Sequence, residues 1–435
     1  MSILIRGAHI LVPSNNGFDV LKNAYLGISN GIIDYIGYDN PLKSPEKKYD
    51  EVKDFTGKML IPGLVNAHTH TGMGLLRGLG SDLPLQEWLH VMWPIEDKMT
   101  ERDLQVGMEH ALLEMISSGT TSFTDMYMMP HAMIDIIGKS GLKANLSRVM
   151  QCFDPNQDYE SYSRVHEARE LFKKFNGSYD DRIRIDFDMH AEYTITEDIA
   201  RKYSQECKKN NGRMHIHLSE TEREVNTCKE KYNKSPFQWF NDIGTFDSPT
   251  LAAHCVVLSE EDMDILALKK VSVAHNPTSN LKLGSGVAPV LELLNRGVNV
   301  CLGTDGAASN NNLNMFEEMH LAAILHKGIT KDPTVLPAYE VLKMATINGA
   351  KAQGRDDTGS LKVGKKADIV ALDLNKAHLI PYSDLISNLT YSAQGSDVYM
   401  TMVNGNILYE NGVFLTLDEE RILEETKRVV KNLVE

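Results

Sequence analysis

The chain has 435 residues, is 42% hydrophobic and carries a net charge of −14, with acidic and basic residues interspersed. This charge argues against a nucleic-acid or membrane-surface protein, and no apolar run reaches the roughly 18 residues of a membrane-spanning helix. Five cysteines without a CxxC spacing, and a start without a signal-peptide pattern, favour a cytoplasmic protein with reduced thiols. We expect chemistry on a small molecule, with neither nucleic acid nor membrane as a partner.

The two ends of the chain share a β-rich pattern. SILIRGAHILV and AYLGISNGIIDYIG, with a turn at residues 29–31, are typical of short strands, and KADIVALDL and DVYMTMVNGNILYENGVF repeat this pattern near the C-terminus. The last stretch, LDEERILEETKRVVKNLVE, predicts an amphipathic surface helix. We expect residues 1–57 and 358–435 to form one small β-sandwich domain that includes this helix.

Residues 58–357 predict a different architecture. Eight β-type runs alternate there with longer amphipathic stretches, and in chain order they are MLIPGLVNAH, GTTSFTDMY, KANLSRVM, IRIDFDMH, GRMHIHL, TLAAHCV, KVSVAH and VNVCLGTD. Eight strands that alternate with helices over about 300 residues are typical of a (β/α)8 TIM barrel in the α/β class. Such barrels place their chemistry at the carboxyl ends of the strands, so we expect the active site there.

Polar side chains recur at the ends of these eight runs. They are, in chain order, His68 and His70, Asp125, Arg148, His190, His217, His254, His275 and Asp305. A buried strand normally carries Val, Ile and Leu, so ionisable groups at one end of successive strands are difficult to attribute to packing. They indicate a functional site at the mouth of the barrel.

The two histidines that end the first run suggest a metal site. Residues i and i+2 of a strand point the same way, so His68 and His70 project together, although alone they could equally be structural rings held by hydrogen bonds. With His217 and Asp305 at other strand ends they give three nitrogens and one carboxylate, which suit a zinc-like divalent ion. The fourth run ends in His190 and not in lysine, which favours one metal ion that activates water over a pair of ions.

Two further residues suit proton transfer beside such an ion. In HIHLSET, Glu220 lies three residues after His217, whereas His215 is interpreted as a core or supporting histidine. A carboxylate near an activated water is a natural proton shuttle, although Glu220 could also be an acid in the first turn of a helix. His254 in TLAAHCVVLS is predicted to polarise the attacking water or the transition state. The alternative for Asp305 in GTDGAASNNN is an ordinary Asx turn.

The ordered set of motifs resembles the amidohydrolase superfamily and, within it, the mononuclear deaminase branch. The motifs are PGLVNAHTHTGMGLLRG, LPLQEWL, WPIED, HIHLSET, AAHC, HNPTSNLKLGSGVAPV, LGTDGAASNNN and MATINGAKA. The likeness narrows to the 5-methylthioadenosine/S-adenosylhomocysteine deaminases and covers about residues 2–415. It implies hydrolytic deamination of these nucleosides, with adenosine as a further candidate, to the inosine analogue and ammonia. One departure is MHAEYT at residues 189–194, where other members have a form similar to PHSPYT.

The resemblance also implies catalytic roles for individual residues. One divalent ion per subunit, Zn²⁺ with Fe²⁺ as an alternative, would be bound by His68, His70, His217 and Asp305. Glu220 would handle the proton at the purine ring, and His254 with Asp305 would orient the attacking hydroxide. The sequence leaves the metal open among zinc, iron, cobalt and manganese, because the same four ligands accept each of them.

Four substrate contacts follow from the resemblance. Glu96 of WPIED would hold the ribose hydroxyls, and His190 would approach the purine or the ribose. Arg148 and Arg164 would reach the amino-acid tail of S-adenosylhomocysteine, since an arginine fork suits a carboxylate. As alternatives, Glu96 could be a surface acid and Arg164 a solvated helix residue. Two tryptophans, Trp88 and Trp93, could either stack on the purine or lie in the core.

Several competing functions share the predicted barrel. Removal of an amine or chloride from another heteroaromatic ring, such as guanine, a pterin or a triazine, is the main alternative. A dinuclear cyclic-amide hydrolase and a metal-binding barrel without catalysis are two others. The sequence leaves open which nucleoside is preferred and whether the chain forms a homo-oligomer.

Overall fold

The computed structural model describes residues 2–15, 17–43 and 49–434, so residues 1, 16, 44–48 and 435 of the predicted β domain lie outside the described residues. The strands are β1 (Ser2–Ser14), β2 (Gly17–Ser29), β3 (Ile32–Gly37), β4 (Glu51–Asp54), β5 (Lys58–Pro62), β6 (Leu64–Thr69), β7 (Thr120–Tyr127), β8 (Lys143–Arg148), β9 (Ile183–Ile185), β10 (Phe187–Met189), β11 (Met214–Leu218), β12 (Thr250–His254), β13 (Ser272–His275), β14 (Asn299–Leu302), β15 (Ile369–Asp373), β16 (Val398–Val403), β17 (Asn406–Glu410) and β18 (Val413–Phe414). The helices are α1 (Leu85–Glu96), α2 (Glu101–Ser117), α3 (Ile134–Ser140), α4 (Ser163–Phe175), α5 (Ser178–Asp181), α6 (Glu197–Lys209), α7 (Glu222–Tyr232), α8 (Pro236–Asp242), α9 (Glu260–Lys269), α10 (Pro277–Lys282), α11 (Val290–Asn295), α12 (Ala307–Asn310), α13 (Met315–Thr330), α14 (Ala338–Met344), α15 (Ile347–Ala352), α16 (Leu385–Tyr391) and α17 (Glu419–Val434).

The parallel strands β6 to β14 form the barrel. Hydrogen bonds connect β6 through β9 in one ladder and β10 through β14 in a second. The fourth predicted run is divided into β9 and β10 at Asp186, whose N–H donates to the carbonyl oxygen of Leu146 at 2.9 Å. On the opposite side, the N–H of Asp305 donates to the carbonyl oxygen of His68 at 2.9 Å, so the chain after β14 meets the first barrel strand. The predicted α/β class and TIM barrel are confirmed.

The two terminal segments form one nine-stranded sheet beside the barrel. The strand order is β18–β17–β16–β15–β5–β1–β2–β3, with β4 paired to β1. Side chains from both ends of the chain, among them Ile5, Leu26, Ile369 and Met402, are buried in a common core. The predicted β domain from both chain ends is therefore confirmed. Strand β5 starts at residue 58, the first residue predicted for the barrel, and pairs with β1 and β15 of the terminal sheet. The predicted domain limits remain a prediction.

Three tight turns of this sheet show why the sequence places Asn-Gly between strands. The pairs at residues 30–31, 404–405 and 411–412 have φ angles of 52° and 77°, 49° and 77°, and 51° and 82°. Two-residue hairpins need positive φ at both positions, which asparagine and glycine adopt most readily. The first two turns also touch, since a Cβ at Gly31 would lie 2.6 Å from the carbonyl oxygen of Asn404. We conclude that local turn chemistry sets the pairing of these strands.

The outer features of the fold agree with its apolar patterning. The C-terminal helix α17 packs against α2, where it buries Ile422 and pairs Arg421 with Glu109. All five cysteines are buried free thiols. Among the described residues, no helix combines the length and the apolar character that a membrane crossing needs.

A buried ion pair connects the barrel to the β domain. Lys143 of β8 and Asp368, which precedes β15, form a hydrogen-bonded pair whose side chains are 0% and 4% exposed. Asp368 also accepts a hydrogen bond from the N–H of Asn404 at 2.9 Å. Its main-chain carbonyl oxygen accepts from the N–H of Gly63, between β5 and β6. Because water is excluded, each charge depends on the other.

We expect Lys143→Met to lower the free energy of unfolding by about 3–5 kcal/mol, because it leaves the Asp368 carboxylate buried without a counter-charge. Denaturation in guanidinium chloride measures the loss. Lys139→Met removes an exposed lysine of α3 and serves as the control. A loss in the Lys143 variant no larger than in this control would contradict the assigned role.

Candidate active site

A cavity of about 270 Å³ opens at the carboxyl ends of the barrel strands. Apolar side chains form much of its wall, including Met73, Leu85, Leu89, Met126 and Val149. Polar groups from several different strands line the same space, including His70, His190, His217, Glu220, His254 and Asp305. An apolar concavity with a few convergent polar groups is the usual form of a small-molecule site.

Two of the predicted metal ligands direct their Nε2 atoms at each other. Nδ1 of His70 donates to the carbonyl oxygen of Met126 at 2.6 Å, and Nδ1 of His217 donates to the carbonyl oxygen of His190 at 2.8 Å. A carbonyl oxygen can only accept, so these contacts place a ring proton on Nδ1, and each ring, when neutral, then has its lone pair on Nε2. The two Nε2 atoms are 3.1 Å apart.

The third predicted histidine ligand, His68, is fully buried between these groups. Its Nδ1 lies 2.9 Å from Nε2 of His215, so His215 touches the candidate ligand from behind, as the sequence indicated. Nε2 of His68 has no hydrogen-bond partner. Burial lowers the pKa of His68 to about 4 although Asp305 opposes this shift, so the ring is neutral.

Asp305 completes the cluster from the end of the last barrel strand. Its Oδ2 accepts from Ser279 at 2.6 Å and from Ser309 at 2.9 Å. Its Oδ1 lies 3.3 Å from Nε2 of His68 and 3.2 Å from Nε2 of His70. Burial opposes ionisation, but the two histidine rings close to Oδ1 outweigh it and hold the pKa of Asp305 well below its usual range. The group is therefore a carboxylate.

This donor set fits a divalent metal ion. In a tetrahedral site with bonds of about 2.0–2.1 Å, neighbouring ligand atoms lie roughly 3.3 Å apart. Three separations within the set are close to this value: 3.1 Å between His70 and His217, 3.3 Å between His68 and Asp305, and 3.2 Å between His70 and Asp305. If both rings were neutral, the facing lone pairs of His70 and His217 would repel unless positive charge lay between them. Burial disfavours a charged His70, but Asp305 outweighs burial and raises the pKa of His70 to about 9, so without a metal ion a proton on His70 supplies the positive charge that the cluster attracts.

The predicted acid–base residues lie beside the cluster. His254 shares a metal-type group of donor atoms with His68 and His217, all within 4.8 Å of one another. Nδ1 of His254 lies 2.9 Å from Asn280 Oδ1, and its Nε2 lies 3.8 Å from Glu220. With the proton on Nδ1, Nε2 is free to accept one. Burial raises the pKa of Glu220 to about 7, against the opposing charge of His254, so this carboxyl can hold or release a proton near neutral pH.

Glu96 and His190, two predicted substrate contacts, line the cavity. Glu96 ends α1, is 7% exposed and accepts a hydrogen bond from the hydroxyl of Tyr127 at 2.6 Å, so it is not a helix-surface acid. Burial raises the pKa of Glu96. The ring of His190 packs edge-on against His217 at 4.9 Å. Burial lowers the pKa of His190 to about 3, so the ring is neutral.

The two predicted arginines occupy different environments. Arg164 lines the cavity and donates to two neutral oxygens, the carbonyl oxygen of Val149 at 3.3 Å and Gln151 Oε1 at 3.0 Å. Arg148 forms an ion pair with Glu167 at 2.5 Å and does not line the cavity. Only Arg164 therefore faces the site without a carboxylate already bound to it in a hydrogen bond.

Trp88 and Trp93, for which the sequence left open a core position or stacking on the purine, both line the cavity. Trp88 is 5% exposed and its indole N–H has no hydrogen-bond partner, whereas Trp93 is partly exposed at the same opening. They are thus both core residues and cavity wall.

Sequence reasoning missed the residues that hold the predicted ones in place. Ser279 binds Asp305 and Asn280 contacts His254, and both belong to HNPTSN, which directly follows a strand end. Polar residues clustered after a strand were the available signal. Tyr127, the partner of Glu96, gave no signal, because it ends a fully buried strand and its partner lies 31 residues away.

A TIM barrel with three histidines and one aspartate converging at its mouth defines the class of barrel hydrolases that activate water. The chain belongs to the amidohydrolase family, whose sequence profile matches residues 59–408. The resemblance predicted from the motifs is confirmed.

Known proteins similar to this chain narrow the comparison. A 5-methylthioadenosine/S-adenosylhomocysteine deaminase of Acetivibrio thermocellus is 45% identical and covers 100% of both chains. A 5'-deoxyadenosine deaminase of Methanosarcina acetivorans is 44% identical over 99% of this chain and 98% of its own. The crystal structure of an adenosine deaminase from Xanthomonas campestris with bound zinc is 31% identical, with a TM-score of 0.93 over 99% of this chain and 98% of its own.

We expect His68→Ala to abolish stoichiometric metal binding, since it removes the central donor of the cluster. His215→Ala should keep the ligands but weaken metal affinity by about 10–100-fold, as loss of a supporting hydrogen bond does elsewhere. Elemental analysis after dialysis against a graded chelator measures both effects. His275→Ala, a buried histidine at the end of β13 outside the cluster, is the matched control. Full metal content in the His68 variant would refute the site.

Proposed function

We propose that this chain is a metal-dependent hydrolytic deaminase of adenine nucleosides that converts 5-methylthioadenosine or S-adenosylhomocysteine to the inosine analogue and ammonia. The observation that carries the proposal is the placement of Glu220 and His254, 3.8 Å apart, beside the cluster of three histidines and one aspartate. The names of the relatives, all adenine-nucleoside deaminases, support the choice of substrate class.

We further propose that His68, His70, His217 and Asp305 hold one divalent ion and that this ion is zinc. Three nitrogens and one carboxylate suit Zn²⁺, and the similar adenosine deaminase carries zinc. When bound, the ion supplies Lewis-acid activation of water. The five buried free thiols support a cytoplasmic location.

In the proposed mechanism the protein moves protons to or from N1 of the purine, the oxygen of the attacking water and the exocyclic amine. Protonated Glu220 donates to N1 of the purine while His254, with Asp305, accepts a proton from the attacking water, and the resulting hydroxide adds to C6. The proton taken from water then passes to the exocyclic amine, the C6–N bond breaks and ammonia leaves. Glu220 recovers its proton from the C6 hydroxyl, which becomes the carbonyl of the product. Positioned protonation of the ring lowers the barrier because negative charge develops there.

Glu96 distinguishes nucleosides from bare rings in this proposal. Tyr127 occupies Glu96 Oε1, so the other carboxylate oxygen remains for the ribose hydroxyls. A buried acceptor left without its donor costs free energy, so a base without ribose binds less well. This argument favours a nucleoside over guanine, a pterin or a triazine.

We expect Glu220→Gln to lower ammonia release from 5-methylthioadenosine by about 10²–10⁴-fold, because the amide cannot donate and recover a proton. Bound metal per chain should stay unchanged in this variant. Glu222→Gln, an exposed neighbour in the first turn of α7, should keep wild-type activity. A fully active Glu220 variant would defeat the proposed mechanism.

We expect Arg164→Met to reduce kcat/KM for S-adenosylhomocysteine by about 10–100-fold while 5-methylthioadenosine changes little, because only the former carries a carboxylate for the guanidinium. Arg148→Met is the matched comparison, and its effect should be smaller because Glu167 already binds Arg148. Ammonia assays with both substrates, adenosine and guanine measure the effect. Equal losses on both nucleosides would refute a role of Arg164 at the amino-acid tail.

A further inference from the structure

Asp125 is a buried strand-end residue that the proposed mechanism does not use. It lies near the carboxyl end of β7, is 1% exposed and does not line the cavity. A buried carboxyl group is costly unless hydrogen bonds satisfy it, so the partners of Asp125 indicate its role.

The partners of Asp125 lie on either side of the candidate metal ligand His70. Its Oδ1 accepts from the N–H of Thr71 at 2.7 Å. The hydroxyl of Thr69 lies 2.9 Å from the same oxygen and 2.9 Å from the carbonyl oxygen of Thr124. One carboxylate oxygen of β7 therefore contacts the side chain directly before His70 and the main chain directly after it.

The pairing of β6 with β7 explains why His70 needs this support. Asn66 pairs with Phe123, and the next pair is Thr69 with Asp125, so β6 advances by three residues where β7 advances by two. Such an irregularity interrupts the ladder and re-aims the side chains near it. Pairing resumes directly before His70. The direction of the His70 side chain therefore depends on contacts made after the irregularity, and Asp125 makes two of them.

The main chain after His70 also lacks a local partner for its first N–H group. A 3₁₀ helix, Thr71–Leu76, begins here, and its N-cap residue is His70, with φ −133° and ψ 78° and no capping hydrogen bond from the side chain. An N-cap side chain normally accepts from the first N–H groups of a helix. The His70 ring is directed at Met126 and the cluster instead. Asp125 supplies the missing acceptor from the neighbouring strand, so the ring remains available to the cluster.

The last two residues of β7 contact the same segment. The carbonyl oxygen of Met126 accepts from Nδ1 of His70 at 2.6 Å. The ring of Tyr127 lies so close to Gly72 that a Cβ there would overlap it, and the Tyr127 hydroxyl donates to Glu96. Three consecutive residues of β7 thus contact the His70 ring and the chain on both sides of it.

We propose that Asp125 is a positioning residue that fixes the main chain around His70 and so directs the Nε2 atom of His70 at the metal ion. Asp125 belongs to neither group of described side chains whose donor atoms converge at the site, so it supplies no ligand atom. Its contribution is an acceptor oxygen in a defined direction. This inference rests on the proposed function only through the ion site, because it requires His70 to bind the metal and does not depend on the substrate.

Two variants of Asp125 separate its hydrogen bonds from its charge. Asp125→Asn keeps a side-chain oxygen for the N–H of Thr71, so the dissociation constant of Zn²⁺ should stay close to that of wild type. Asp125→Leu has the same branching and no acceptor, so this constant should rise by about 10–100-fold, as it does elsewhere when a ligand loses its supporting partner. Competition with a chromophoric zinc chelator measures both constants.

Asp186→Leu is the matched control. It also removes a buried carboxylate, which accepts from Asn145 at 3.0 and 3.1 Å and does not line the cavity, so zinc affinity should not change. Wild-type affinity in Asp125→Leu would overturn the proposal. An equal loss in Asp125→Asn and Asp125→Leu would also overturn it, because the effect would then belong to the charge.

Bound cobalt gives a readout that a merely structural role would not change. Co²⁺ can occupy the same kind of ligand set as Zn²⁺, and its visible absorption bands depend on the geometry of the ligands. At saturating Co²⁺, the bands should change in Asp125→Leu and keep their wild-type form in Asp125→Asn and Asp186→Leu. A wild-type spectrum in Asp125→Leu would contradict the proposed positioning of His70.

Thr69→Val tests the proposal if Asp125→Leu does not fold. It removes the hydroxyl contact with Asp125 and keeps the β-branched shape, so the dissociation constant of Zn²⁺ should rise by a smaller factor than in Asp125→Leu. An unchanged constant would count against Asp125. Ammonia release from 5-methylthioadenosine is measured separately, and its absence from a wild-type protein whose variants show the expected zinc affinities would refute the proposed function alone.

Discussion

The structure depends on one electrostatic constraint, the burial of ring nitrogens and a carboxylate that converge at the mouth of the barrel. Nε2 of His70 and Nε2 of His217 lie 3.1 Å apart, and the unpartnered Nε2 of His68 lies 3.3 Å from the Asp305 carboxylate. Such a cluster is stable only when a cation compensates it. The barrel holds these groups from behind, through Met126, His190 and His215, because parallel strands bring distant residues to the same rim.

The same dry environment sets the proton chemistry beside the cluster. Burial keeps the His68 ring neutral and raises the pKa of Glu220 to about 7, where a carboxyl can act as acid and base in one cycle. Asn280 orients His254 so that its free nitrogen faces Glu220. The affinity of the cluster for a cation and the raised pKa of Glu220 beside it therefore have one physical cause, the exclusion of water from the strand ends.

The sequence predicted those parts of the fold and site that depend on local periodicity. Eight β-type runs with polar ends were enough for the barrel, and the spacing of His68 and His70 was enough to place two ligand candidates on one face. Contacts between side chains of different elements left no such pattern. The pairing of Arg148 with Glu167 and the support of Asp305 by Ser279 depend on how the helices α4 and α10 pack at the strand ends, which periodicity does not encode.

The cavity also explains why a nucleoside site of this kind can accept different 5′ substituents. Under the proposed function, the ring and the ribose would meet the buried polar groups of the cavity, whose hydrogen-bond directions are defined. Its outer end combines apolar side chains with one guanidinium, Arg164, bound only to neutral oxygens, and with Phe153, which is 68% exposed. Under the proposed function, an apolar thioether would gain from the apolar side chains and a carboxylate would gain from the Arg164 guanidinium. Selectivity is therefore strict where burial leaves polar groups unpaired and relaxed where the wall is apolar and open, which is consistent with relatives named for several 5′-modified adenosines.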